Sequence, residues 1–251
     1  EGRIGHVGFS THGPTALIAE ACDSGAFDYV NLHWYYIRQD NGPALDAARR
    51  QDMGVFIISP TDKGGHLHTP SQRLLELCAP LHPIVFNDLF CLQDPRVHTI
   101  SVGAARPEDL ELHLEALHLL PDAASLIAPV DQRLRQAADE ALGRDWMATW
   151  SVGLPPWHAT PGEINLPVLL WLYNLLEAWD LESYAKARYG LLGSGGHWFA
   201  GANADGFEDE VSVEELQSVL QESPWRERIP EILRSLKQRL KGESQMRLSS
   251  V

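Results

Sequence analysis

The stretch Val97-His-Thr-Ile-Ser-Val102, followed by Gly103-Ala-Ala-Arg-Pro107-Glu-Asp-Leu110, decides the fold class because it places a strand and the start of a helix back to back. Residues 97, 99, 100 and 102 are β-branched and favour extended chain. Pro107, Glu108 and Asp109 then supply an acidic first helical turn, and Leu110, Leu114 and Leu117 recur at i, i+4 and i+7. Upstream, the runs Ile4 to Phe9, Phe27 to Trp34 and Val55 to Ser59 have the same extended character, and helical patterns follow them. After the first run, Pro14 stands where a first helical turn tolerates proline, and Ala16, Leu17 and Ala21 offer an apolar face before the break at Ser24-Gly25. Such alternation predicts an α/β fold with parallel strands beneath crossover helices, because parallel neighbours need a long return connection. Four units make either a small doubly wound sheet or half of an eight-stranded barrel, whose complete form takes about 250 residues.

From Pro121 the pattern changes to helices: Ala123 to Leu142, Leu166 to Trp179, Glu182 to Leu192, Val213 to Gln221 and Glu227 to Leu240. The sequence therefore predicts two domains, 1–120 and 121–251. The second holds Trp146, Trp150, Trp157, Trp171, Trp179, Trp198 and Trp225, seven of the chain's 8 tryptophans, which predicts a core of packed rings.

Among the 251 residues, 44% are hydrophobic and 22% charged, as in ordinary globular chains. A net charge of −14 repels phosphate backbones and anionic membranes, so neither nucleic acid nor a membrane is an expected partner. Cys22, Cys78 and Cys91 form no C-x-x-C pair, which argues against a disulfide framework or thiolate metal site and predicts a reducing, cytoplasmic setting. The polar opening Glu1-Gly2-Arg3 is unlike a signal-peptide core, and the lack of an initial methionine with an uncapped strand at Ile4 predicts an N-terminal truncation.

In parallel α/β folds the site lies in the loops after the strands. Here those loops read Ser10-Thr11-His12-Gly13, His33-Trp34-Tyr35-Tyr36, Ser59-Pro60-Thr61-Asp62-Lys63-Gly64-Gly65 and Gly103-Ala104-Ala105-Arg106-Pro107. Small and hydroxyl residues there let a backbone approach a phosphate, although tight turns use the same residues. Gly5, Gly8 and Gly13 lack the G-x-G-x-x-G spacing, and no Walker A sequence occurs, so a dinucleotide would have to bind in some other way.

The segment Ile4-Gly-His-Val-Gly-Phe-Ser-Thr-His-Gly13 resembles the G-x-S-x-x-G fifth strand of aldo/keto reductases. Phe27-Asp-Tyr-Val-Asn-Leu-His-Trp34 is similar to their sixth strand, Gly54-Val-Phe-Ile-Ile-Ser-Pro60 with Gly64-Gly65 to the seventh, and Val102 to Leu110 to the eighth with its helix. Within the tail, Ile164-Asn-Leu-Pro167, Tyr184-Ala-Lys-Ala-Arg-Tyr189 and Gly195-Gly-His-Trp-Phe199 resemble the extension of a subgroup that often carries ferredoxin-like cysteine motifs. This tail has no cysteine, which excludes an iron–sulfur cluster on ligand chemistry.

The resemblance implies the second half of a TIM-type barrel and NADP or NAD as cofactor for a small-molecule carbonyl or alcohol substrate. It also implies that Ser10, Thr11 and Asn31 hold the nicotinamide carboxamide, with Ile58 where relatives place a stacking aromatic. Ser59, Pro60, Thr61 and Gly64 would meet the pyrophosphate and ribose, and Gly103, Ala104 and Ala105 the adenosine phosphate. Asp109 and His113 stand where relatives carry a basic or amide residue and an asparagine. Asp109 repels a 2′-phosphate, while Arg106 can pair with one bidentately, so the choice between NADP and NAD stays open.

The family's aspartate, tyrosine, lysine and histidine acid–base set belongs to the first half of the barrel. Tyr35, Tyr36, Lys63 and His33 are the right types at the wrong positions and take no catalytic role. A fragment of this kind would be inactive alone. Its open sheet edges would invite a homo-oligomer. Two alternatives stand beside this reading: a non-catalytic half-barrel or helical binding module, and a metal-dependent barrel hydrolase using His66 and His68 with His12 and His33 on neighbouring loops.

Overall fold

The computed structural model describes residues 2–104, 107–193 and 200–242. Trp198 and the segment 195–199 singled out in the sequence lie outside the described residues, as do Ala105 and Arg106. The chain divides into two compact units, 1–133 and 134–251, with the division inside a helix.

The first unit alternates strands and helices: β1 (Gly8–Ser10), α1 (Thr15–Asp23), β2 (Tyr29–Leu32), α2 (Gly42–Arg50), β3 (Gly54–Ile58), α3 (Pro60–Lys63), α4 (Gln72–Cys78), α5 (Pro83–Leu92), β4 (Thr99–Ser101) and α6 (Glu111–Leu119). All three strand pairings are parallel, and the strands lie in sequence order without reversal. Alternate residues Val30, Leu32, Val55 and Ile57 are buried with Ile18 and Cys22 of α1, Leu45 and three alanines of α2, and Cys91 of α5. The opposite face is less covered: Tyr29, Asn31 and Ile58 are half-buried, and Phe56 is 36% exposed. Tyr29 lies over β1 so closely that a Cβ on Gly8 would come within 2.3 Å of its ring, which explains a glycine inside that strand.

Two features differ from the sequence pattern. The leucine stripe of α6 does not face the core: Leu110, Leu114 and Leu117 are 43%, 54% and 53% exposed, and the helix buries His113 and Ala116 instead. The helix packs chiefly against α5, where a buried Asp88 takes the histidine, so polar pairing sets its rotation. In addition, α2 buries Leu45 with three alanines, whose small side chains allow close contact with α1.

Helix α7 (Ala123–Leu142) runs through the boundary into the second unit, which continues with α8 (Arg144–Thr149), α9 (Leu166–Trp179), α10 (Glu182–Leu191), α11 (Val213–Ser218) and α12 (Ile229–Leu240). Asn165 caps α9 by accepting from the Val168 amide at 3.2 Å and donates to the Ala200 carbonyl at 2.7 Å. The helix is apolar nearly all round, as a central helix must be, and α10 and α12 pack on it. Trp146 is fully buried; its indole N–H donates to Asn174 at 2.6 Å and its ring meets Tyr173 and Trp225 edge-on, with Arg228 4.4 Å above it. Ser212 and Glu215 close a capping box on α11. Among the described residues no single helix is long and apolar enough to cross a membrane.

Candidate functional site

The strand register brings the implied residues of the first unit together. Ser10, Asn31 and Phe56 are neighbours across β1, β2 and β3, so their side chains share the less covered face of the sheet. One step further along, His12 stacks on His33 with ring centroids 5.0 Å apart and planes within 11°. Thr11 turns inward on its own loop, its hydroxyl accepting from the Gly13 amide at 3.0 Å. His33 is anchored at both ends: Asn41 donates to its carbonyl at 2.9 Å, and its Nδ1 lies 2.6 Å from the Tyr35 hydroxyl. That hydroxyl donates to the carbonyl of Ile58, the last residue of β3.

Beyond Ile58 the chain turns into α3. Ser59 sits at φ 52° and ψ 51°, a left-handed conformation that costs a non-glycine residue about 1–2 kcal/mol. The surroundings hold it there. The Ser59 amide donates to Ser101 at 3.0 Å, Asn87 donates to the Pro60 carbonyl at 3.1 Å, and the Leu67 amide donates to Thr61 at 2.9 Å. A side chain at Gly64 is excluded, since its Cβ would lie 1.9 Å from the Pro60 oxygen. Pro60 and Thr61 are buried, and the Thr61 hydroxyl has no hydrogen-bond partner among the described residues.

The residues after β4 are less uniform. Gly103 and Ala104 are exposed and Asp109 is half-buried, whereas His113 is only 7% exposed and is paired through Nδ1 with Asp88, itself 1% exposed. Burial pushes the Asp88 carboxyl above its ordinary range, only partly offset by the bond from His113. The structure thus gathers Ser10, Asn31, Ile58 and Ser59 at one end of the sheet but sets His113 beneath the surface.

His66 is half-buried, in a left-handed turn 3.5 Å from Asp62, and His68 is exposed. Among the described residues no three His, Cys, Asp or Glu side chains converge to hold a metal. A separate groove of about 440 Å³ is lined by Trp34, Gln39, Phe90, Asp94 and Arg96, none of them an implied cofactor residue. Its arginine is already engaged by Asp94 and Asp46.

Two residues escaped the sequence reading. Asn87 ties the loops after β2 and β3 together, accepting from the Tyr36 amide and donating to Pro60, and Asp88 fixes α6. Their sequence signal is the polar pair Asn87-Asp88 inside the otherwise apolar run Pro83 to Leu92, since buried polar groups require partners.

No family model, curated protein or solved structure matches the chain.

Proposed function

We propose that the first unit is the second half of an eight-stranded parallel barrel that holds NADP or NAD across its strand ends, in an oxidoreductase of the aldo/keto reductase type. One observation carries this reading. The strands run in sequence order, helices cover one face, and the less covered face presents Ser10 and Asn31 in register beside the constrained Ser59 turn. A doubly wound sheet would reverse its strand order at a switch point and bury both faces, whereas a barrel half leaves its inner face open. In a closed barrel the exposed leucines Leu17 on α1 and Leu114 and Leu117 on α6 would pack against neighbouring helices.

In this reading the Ser10 hydroxyl and Asn31 amide bind and orient the nicotinamide carboxamide, and Ile58 gives the ring an apolar contact. The turn from Ser59 to Gly64 meets the pyrophosphate and ribose with Thr61, and Gly103 and Ala104 admit the adenosine phosphate. Ala105, Arg106 and Asp109 complete the implied set, while His113 is turned inward to Asp88 and makes no cofactor contact in this reading. The bound cofactor would exchange hydride with a carbonyl or alcohol carbon. Proton transfer falls to the complementary half of the barrel, so this unit alone binds without turning over. Three buried, unpaired cysteines fit a reducing, cytoplasmic setting.

The test is calorimetric titration of the folded chain with NADPH and, separately, NADH, repeated with Ser10→Ala and Asn31→Ala. Saturable binding weakened by both substitutions is expected; a folded chain that binds neither nucleotide would sink the reading. A second reading, a non-catalytic half-barrel, is favoured by the exposed leucines. Self-association without nucleotide binding would support it.

A further inference from the structure

We infer that Tyr35, oriented by His33, is a positioning residue that sets the Ser59 turn for the dinucleotide. The inference rests on the cofactor reading above and adds a residue that the resemblance does not assign. A tyrosine hydroxyl carries one proton, and the Ile58 carbonyl can only accept, so that proton lies on the bond to Ile58. The same hydroxyl must then accept from His33, which places a proton on Nδ1 whether the imidazole is neutral or charged. The chain of donors therefore runs in one direction, from His33 through Tyr35 to the end of β3.

Both donors are rigidly held. Tyr35 is fully buried, and its backbone exchanges two hydrogen bonds of 2.9 Å with Arg38. The His33 ring is stacked on His12 and its carbonyl is held by Asn41. On the receiving side, the Ile58 carbonyl belongs to the peptide that enters the left-handed Ser59, so fixing it fixes the direction in which Ser59, Pro60 and Thr61 leave the sheet. A left-handed non-glycine residue persists only where its surroundings over-determine it, and Tyr35 acts with Ser101 and Asn87 to do so. The position of a bound pyrophosphate then depends on a hydroxyl that need not touch it.

The experiment uses the full chain with Tyr35→Phe, His33→Leu and His33→Asn, the last placing an amide N–H where Nδ1–H stood. Residue-resolved hydrogen exchange reads the Ser59 and Leu67 amides, and titration reads the Kd for NADPH and NADH. Tyr35→Phe and His33→Leu should speed exchange at these amides about tenfold and raise Kd about tenfold, the scale of one hydrogen bond. His33→Asn should restore both, which a loss of packing alone would not allow. Unchanged exchange in Tyr35→Phe overturns the inference. If the parent chain binds nucleotide and Tyr35→Phe binds equally well, the inference fails while the cofactor reading stands. If the parent binds neither nucleotide, the cofactor reading fails with the cofactor role of Tyr35, and exchange still decides whether Tyr35 holds the turn.

Discussion

The two units treat their apolar residues differently. Among the described residues, Ile4, Val7, Leu17, Phe56, Leu110, Leu114 and Leu117 of the first unit are exposed large hydrophobics, against Val152 alone in the second. The second unit encloses its apolar residues more completely: Trp146, Tyr184, Tyr189 and Phe207 are almost fully buried, and its other described tryptophans are half-buried. The first has buried one face of its sheet and left the other, with its terminal helices, unsatisfied. The difference shows that a parallel sheet with α1, α2 and α5 packed on one side keeps its other face less covered, whereas helices packed around a central apolar helix enclose their apolar residues more completely.

The contrast can be broken most severely in the second unit. Trp146→Ala should lower its unfolding free energy by about 4 kcal/mol, since it empties a fully buried ring site and strands Asn174. Chemical denaturation followed by near-ultraviolet dichroism checks this. In the first unit the largest loss should come from Asp88→Ala, about 3 kcal/mol, because His113 is left buried without its carboxylate.

Acid should sharpen the comparison. The Asp88 carboxyl is raised above 3.8 in the folded chain by burial, so its contribution to stability grows as pH falls through the raised value and is complete below 3.8. Asp209 is lowered by Lys237 and Glu215 by the Ser212 amide and hydroxyl, so their contributions are present at neutral pH and are lost as pH falls through the depressed values. Unfolding measured from pH 7 to pH 3 should lose the first slope in Asp88→Asn and the second in Asp209→Asn with Glu215→Gln; identical slopes in parent and variants would contradict the assignment.

Smaller effects follow. Asn165→Ala removes the α9 cap and should cost about 1 kcal/mol by denaturation. Leu114→Lys with Leu117→Lys should change stability by less than about 0.5 kcal/mol, because both side chains are exposed. The same pair should abolish any concentration-dependent rise in sedimentation mass, the outcome expected if the stripe is a seam rather than a surface accident.

Strand–helix alternation was legible because β-branched runs and helix starts are local signals, and the four strands form within or beside the predicted runs. Helices Ala123–Leu142 and Leu166–Trp179 were legible to the residue, being too long to read as strands. Helix α5 was not, since a continuous apolar run has no period to read. Of the candidate site, the loops Ser10-Thr11-His12-Gly13 and Ser59 to Gly64 could be found as small-residue punctuation after strands. The partners of Asn87 and Asp88 and the bond from Tyr35 to Ile58 could not, because each pairing joins residues more than 20 positions apart.

The sequence by itself determined the order of elements, the acidic balance and the absence of a thiolate cluster motif, because these depend on residue identity and near neighbours. Only the tertiary structure decided that the sheet keeps sequence order, that one face stays less covered, that His113 turns inward to Asp88, and that Ser59 is held left-handed. Those outcomes depend on which distant groups satisfy one another's burial and hydrogen bonding, a competition that no local pattern records.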